Sequence, residues 1–509
     1  MHSPAKTKMH RKRQGEGRPR ESASGASTEA LRGARYVSLG AVGNESELCY
    51  KDTTMRRDIV HPGADKLKYE IREIVDVAKH VALSGIPIVW ENIGDPVFKG
   101  EVPPAWIKKI VANAVKEDLI FAYSPTKGLD TTREYIARER NLEGGIQITS
   151  DDILFFNGLG DGISHLYSNL NPRVRILGPD PAYPTHSSAE AAHSDKPHLT
   201  YRLNPENEWQ PDLTDMERKI RENKDIAGIL IINPDNPTGF VYPQKTIRTI
   251  VALAKKYKLF VISDEIYSNL AYEGSGMQKL ASVIGNVPGI AMRGISKEFP
   301  WPGARCGWIE FYNRDKDKNF DRYARSIVDS KTLEVCSTTL PQRVLPQVMG
   351  DARYYPYLAA RTRRYLRRAE YAHKVLSKIP NVIIHKPQGA FYMTCVFQKG
   401  ILKKKQSLPV KNSLKKFIES RLAAASLDKR FVYYLLASTG VCVVPLSSGF
   451  NSSLQGFRFL LLEPNDARFK KTINIIAKAI SDYLAPDGAM KHRILSNMRK
   501  GSTVGKRGP

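Results

Sequence analysis

Residues 226–239 read IAGILIINPDNPTG. The run from Ile226 to Ile232 is apolar without alternation. A strand with one wet face alternates apolar and polar side chains, so a continuous run implies burial on both faces. The run then stops at two Asn-Pro steps, Asn233-Pro234 and Asn236-Pro237. Such steps stiffen the backbone into a turn and leave the Asn236 amide projecting from it.

The same punctuation recurs on both sides. Short apolar runs appear as DILFFNG (152–158), RVRILGPD (173–180), KLFVISDE (258–265) and GIAMRGIS (289–296). Helical periodicity separates them, as in PAWIKKIVANAVKE (104–117), LDTTREYIARERN (129–141) and QKTIRTIVALAKKY (244–257). Alternation of this kind predicts an α/β fold with a mostly parallel sheet. The helix period over 71–81 and a short strand in IPIVWENIGDP (86–96) precede it. A long basic helix at 354–379 leads to strands in NVIIHKP, AFYMTCVF, GVCVVPL and GFRFLLLEP, closed by a helix at 468–485. That order predicts a smaller α+β domain. The expected organisation is a basic extension (1–55), an arm with part of the small domain (56–100), a large domain (101–355), a small domain (356–486) and a basic tail (487–509).

In open parallel sheets, ligands bind beyond the carboxyl ends of the strands. Five such ends carry unusual groups. Gly158, Leu159 and Gly160 open a glycine-rich turn that suits one phosphate; a dinucleotide fingerprint would set the third glycine one residue later. Tyr183 follows the second run between prolines, and Asn236 follows the third. Asp264 ends the fourth, with Tyr267 three residues on. Lys297 follows the last, after Ser296, with Arg305 eight residues beyond. Singly these read equally well as a packing turn, a core-edge tyrosine, a capping aspartate and a snorkelled lysine. Together they describe a site for a flat, phosphorylated aldehyde with a ring nitrogen, which is pyridoxal 5′-phosphate.

Composition excludes other classes. The 509-residue chain is 41% hydrophobic, which suits a large globular enzyme. Its formal charge of +26 raises nucleic acid as a partner, but the excess sits largely at the ends and in residues 399–416, where solvated tails and loops account for it. The five cysteines (Cys49, Cys306, Cys336, Cys395, Cys442) form no C-x-x-C pair, and no metal site is expected. No apolar leader or membrane span is read, so a cytoplasmic location is expected. The Arg-rich start is consistent with a dispensable tail, an organellar leader or a true start at Met55.

Seven stretches carry a resemblance: YSPTKGL (123–129), NGLGDGI (157–163), PDPAYP (179–184), NPDNPTG (233–239), SDEIY (263–267), SKEFPWPGARCGW (296–308) and FRFLLLEP (457–464). Over about residues 60–485 the chain resembles the class I/II aminotransferases of fold type I, whose cofactor is pyridoxal phosphate. ENIGDP (91–96) and KPQGAFYM (386–393) are similar to the alanine (glutamate–pyruvate) and aspartate aminotransferase branch. The resemblance implies a seven-stranded-type sheet in the large domain. It implies that Lys297 carries the cofactor and shuttles the proton, while Asp264 holds the pyridine nitrogen protonated. Tyr267 and Asn236 would bond the ring oxygen and Tyr183 would stack on the ring. Gly158, Leu159, Gly160, Ser296 and Arg305 would bind the phosphate, with Tyr123 reaching the cofactor of a second copy in a homodimer. Arg458 would take the substrate carboxylate, helped by Gly94 and Asn236. The implied reaction is a ping-pong transfer from an L-amino acid, alanine or aspartate, to a 2-oxo acid such as 2-oxoglutarate.

Departures from the pattern matter. Gly294 stands where many relatives have serine, although the alanine branch shares the glycine. Gly294 is expected to leave the phosphate one side-chain donor short, and GLGDG lacks the usual hydroxyls, so the backbone is expected to do more of the binding. Arg325 and Lys331 are candidates for a distal carboxylate. The competing readings are a C–S lyase on the same fold, and a basic nucleic-acid-binding regulator that retains an aminotransferase-like domain. The filled site and the lack of a helix-turn-helix count against the regulator.

Overall fold

The computed structural model describes residues 60–67 and 70–485. The expected extension (1–55) and tail (487–509) lie outside the described residues.

The large sheet comprises β1 (Ile153–Phe156), β2 (Arg175–Asp180), β3 (Leu199–Asn204), β4 (Gln210–Pro211), β5 (Ile226–Ile232), β6 (Phe260–Asp264), β7 (Gly289–Gly294) and β8 (Gly307–Tyr312). Their order across the sheet is β1-β8-β7-β6-β5-β2-β3-β4. Neighbouring strands from β7 to β3 are parallel. β8 runs against both β7 and β1, so β1 points the same way as the parallel set. The seven expected strands are therefore present, and the two-residue β4 adds an eighth through an antiparallel pair with β3.

Burial on both faces holds residue by residue. Ile153 and Phe155 join one apolar cluster, with Ile229, Ile231 and Val261. Leu154 and Phe156 join the other, with Leu230, Ile232, Ile262 and Met292, under Ile163 and Leu166 of helix Leu159–Ser168. Three strands escaped the apolar-run criterion, the two-residue β4 among them. β3 alternates, with Tyr201 and Leu203 buried and Arg202 exposed, because it lies near the sheet edge. β8 carries a buried Glu310, satisfied by Trp308 Nε1 at 3.0 Å and Tyr312 Oη at 2.7 Å.

The second sheet is antiparallel: β9 (Val382–Ile384), β10 (Tyr392–Phe397), β11 (Val444–Pro445) and β12 (Gly456–Leu460), in the order β9-β10-β12-β11. Val89–Trp90 pairs in parallel with Val441–Cys442. That pairing delivers segment 91–101 to the site. It begins beside Gly440, which ends helix Leu427–Thr439 with φ 79°. A Cβ there would stand 2.1 Å from Pro87 O. No helix among the described residues is long and apolar enough to cross a membrane.

Gly440→Ala combines a left-handed backbone with a backbone clash. It is expected to cost about 1–3 kcal/mol from the backbone alone, read as a lowered midpoint in denaturant unfolding. An unchanged midpoint would refute this account of the junction.

Candidate active site

β7 ends at Gly294 and runs directly into the one-turn helix Ile295–Glu298. Lys297 stands on that turn, and its Nζ donates to Gly94 O at 2.8 Å. Burial pulls its pKa down to about 8; Asp95 opposes the fall, while Arg458 and Arg305 reinforce it. Desolvation penalises the charged form, so this amine loses its proton more readily than an exposed lysine.

Gly294 has a steric reason. A Cβ on it would lie 2.9 Å from Cys306 O and 3.1 Å from Gly307 Cα on the adjacent β8. Its φ of −180° is ordinary extended backbone, so close strand approach alone excludes a side chain. The missing serine is thus a packing requirement of the β7–β8 pair.

Gly158 precedes helix Leu159–Ser168 with φ 84°. A Cβ there would come within 2.4 Å of Arg305 NH2, whereas the position above Gly160 faces open space. Arg305 donates to Asn157 O at 3.2 Å and Pro302 O at 3.1 Å, and it adopts a left-handed φ of 50°. Leu159 and Gly160 lie in the helix's first turn, where backbone N–H groups have no partner within the helix. This end is a cradle of N–H donors with a guanidinium drawn against it. Ser296 is partly buried next to Lys297.

Asp264 is buried at the end of β6. Its Oδ1 accepts from Ile266 N at 3.1 Å, and its Oδ2 lies 3.2 Å from His186 Nε2. His186 stands one helical turn beyond Tyr183, which caps helix Pro184–Ser194. The Tyr267 and Tyr392 hydroxyls are 2.8 Å apart, and burial pushes the Tyr267 phenol well up. Asn236 Oδ1 accepts from Arg458 NH1 at 3.1 Å. Arg458, only 2% exposed on β12, also donates from NH2 to Asn92 O, and its guanidinium lies 4.5 Å from the Tyr392 ring centre. Next to Asn236, burial raises Asp235 to about 7 against the opposing bonds from Thr238.

The expected groups therefore converge from both sheets, with three exceptions. Tyr123 is 84% exposed, in a surface cavity of about 460 Å³ that Asn157 and Thr338 also line. Arg325 is exposed and pairs with Asp321. Lys331 is buried, and its Nζ pairs with both carboxylates of the Asp161–His165–Glu334 cluster. Among the described residues of one chain, neither cation joins the groups around Lys297. Sequence reading missed His186, Tyr392 and Asn92 as site members. His186 was signalled only by helical spacing from Tyr183. Tyr392 and Asn92 were inside quoted motifs but had no chemical signature of their own.

The sequence model of the family "Aminotransferase class I and II" matches residues 88–458. The chain is a class I/II aminotransferase. It is 53% identical to an uncharacterized aminotransferase of Methanocaldococcus jannaschii over 84% of this chain and all of that protein. It is 28% identical to the glutamate–pyruvate aminotransferase AlaA of Escherichia coli, over 64% of this chain and 79% of that one. The solved alanine aminotransferase of Pyrococcus furiosus superposes with a TM-score of 0.71 at 29% identity, covering 82% of this chain and 98% of that chain. The transaminase is thus assigned to its family and to fold type I.

Two outcomes follow for the enzyme's lysine turn. In cofactor-free protein, acylation of Lys297 followed by mass spectrometry should rise through pH 8, while exposed lysines react with an ordinary pKa near ~10.4. A Lys297 profile matching the exposed lysines would refute the desolvated amine. Gly294→Ser should cost about 1–3 kcal/mol of stability through overpacking, checked by denaturant unfolding.

Proposed function

We propose that this transaminase moves the amino group of L-alanine to a 2-oxo acid such as 2-oxoglutarate in a ping-pong cycle, with pyridoxal 5′-phosphate held on Lys297. The observation that carries the reading is a desolvated amine (Lys297) on which a buried carboxylate (Asp264) and a buried guanidinium (Arg458) both act.

The residues present fit the cofactor. The glycine cradle has room for a phosphate above Gly160 and cannot accept a Cβ at Gly158 without displacing Arg305. Arg305, Ser296 and the N–H groups of Leu159 and Gly160 would hold that phosphate. The chemistry pyridoxal phosphate supplies when bound is an electron sink. Asp264 would keep a proton on the pyridine nitrogen, with its carboxylate oriented by the His186 contact. Tyr267 and Asn236 would bond the ring oxygen, and Tyr183 would stack on the ring. Lys297 Nζ would carry the proton lost from the substrate α-carbon. Arg458 binds the substrate carboxylate as a fork, with Gly94 and Asn236 alongside.

Arg458 and Arg305 are the cations that act most on Lys297, and both already have a role. Alanine carries no second carboxylate and so needs no further cation. The names of the AlaA and Pyrococcus relatives point the same way. The enzyme acts as a homodimer, in which the exposed Tyr123, beside exposed Leu119 and Phe121, reaches the phosphate of the second copy.

Purified protein should show the visible absorbance of lysine-bound pyridoxal phosphate, and Lys297→Ala should abolish it. That variant should lose about 10²–10⁴-fold in transamination while keeping its far-UV dichroism. A donor panel against 2-oxoglutarate should rank alanine above aspartate. Normal transamination by Lys297→Ala would overturn the site, and a preference for aspartate would overturn the donor. Release of pyruvate and thiol from cystathionine in place of transfer would identify a lyase.

A further inference from the structure

The turn that carries Lys297 is capped from a distant helix. Arg361, on helix Tyr354–Leu376 and 1% exposed, donates from NH1 to Lys297 O at 2.9 Å and to Glu298 O at 2.8 Å. Carbonyls at a helix C-terminus lack partners within the helix, and a four-residue turn cannot sustain itself, because helix nucleation is unfavourable. Its orientation must therefore come from what caps it. The other edge of the Arg361 guanidinium meets Glu101: Nε lies 3.0 Å from Oε1 and NH2 lies 3.3 Å from Oε2. Glu101 is also bonded by Arg364 and by Tyr365 Oη.

Glu101 belongs to the segment that touches the site twice more. Gly94 O accepts from the Lys297 amine, and Asn92 O accepts from Arg458. Segment 91–101 thus holds Lys297 at both ends, the amine directly and the backbone through Arg361. The Glu298 side chain is pinned separately by Tyr354 Oη at 2.6 Å and Asn269 Nδ2 at 3.1 Å.

We propose that Arg361, anchored by Glu101, is a positioning residue that fixes where the Lys297 amine stands for proton transfer. The inference rests on the reading that Lys297 carries the cofactor. Arg361 bonds the Lys297 backbone carbonyl, so it acts through the lysine. Without the cap the turn can tilt, and a displacement of about 1 Å at a reacting group costs about 10²-fold in rate. The amine also loses its fixed place beside Gly94 O and becomes better hydrated.

The test compares Arg361→Gln, Arg361→Lys, Glu101→Gln and the Gln/Gln double variant in the full-length enzyme. Arg361→Gln should lower kcat about 10²-fold while KM for the amino donor changes less than about threefold, because Arg458 keeps its place. In the cofactor-free variant, the apparent pKa of Lys297, read by acylation, should rise from about 8 toward ~10.4. Arg361→Lys should restore part of kcat. The double variant should be no slower than Arg361→Gln, since coupled residues act through one contact. A purely structural role predicts a lower Tm with kcat and the Lys297 pKa unchanged, and that result would overturn the proposal. If Arg361→Gln does not fold, Glu101→Gln, which removes only the anchor's charge, is judged by the same readouts. Absence of Lys297-dependent visible absorbance in the unmodified enzyme would instead sink the functional reading on which this one rests.

Discussion

A lysine amine withdrawn from water is the interaction around which this chain is arranged. Burial brings Lys297 to about 8 and is the largest cause of the shift, with Asp95 and Asp264 opposing the fall and Arg458 and Arg305 reinforcing it. Desolvation therefore decides the outcome. An uncompensated buried ammonium would be costly, yet this one keeps an acceptor in Gly94 O. The arrangement leaves the amine poised between its two protonation states, which on the proposed reading suits a group that must be nucleophile, leaving group and proton carrier in turn.

The large sheet supplies the rest by geometry. β1, β2, β5, β6 and β7 point the same way, so the residues after each share one edge. Because both faces of that sheet are buried, these five strands are short apolar runs with the site groups at their ends. The small sheet approaches from the other side with Arg458, paired in register with Thr394 and Val444. Segment 91–101 lies between the two contributions and bonds to both Lys297 and Arg458.

This division explains what was legible in the sequence. Apolar runs announced β1, β2, β5, β6 and β7, and turn chemistry announced the residues beyond them. β8 was obscured by Glu310, whose buried charge is satisfied by Trp308 and Tyr312 on the same strand, each two residues away. Arg361 and Glu101 were invisible for a different reason. They are 260 residues apart, and Arg361 lies in a helix so basic that its arginines read as solvated. Only the fold separates the buried Arg361 and Arg368 from their exposed neighbours. Long-range pairing of charges leaves no periodic trace.

Gly294 and Gly158 show how packing can imitate a chemical deficiency. Read as a string, both positions lack side-chain donors for a phosphate. In the fold, a Cβ at 294 meets the backbone of β8, and a Cβ at 158 meets the Arg305 guanidinium. A hydroxyl at 158 and the present position of Arg305 therefore exclude each other. The glycine at 158 is the condition for the guanidinium's approach, which also requires Arg305 to hold a left-handed backbone at φ 50°, a conformation that disfavours side chains. A charge-assisted donor forms hydrogen bonds roughly twice as strong as neutral ones. On the proposed reading the cradle replaces hydroxyls with one close guanidinium, and its anion affinity should be concentrated in Arg305 more than in the loop's side-chain composition.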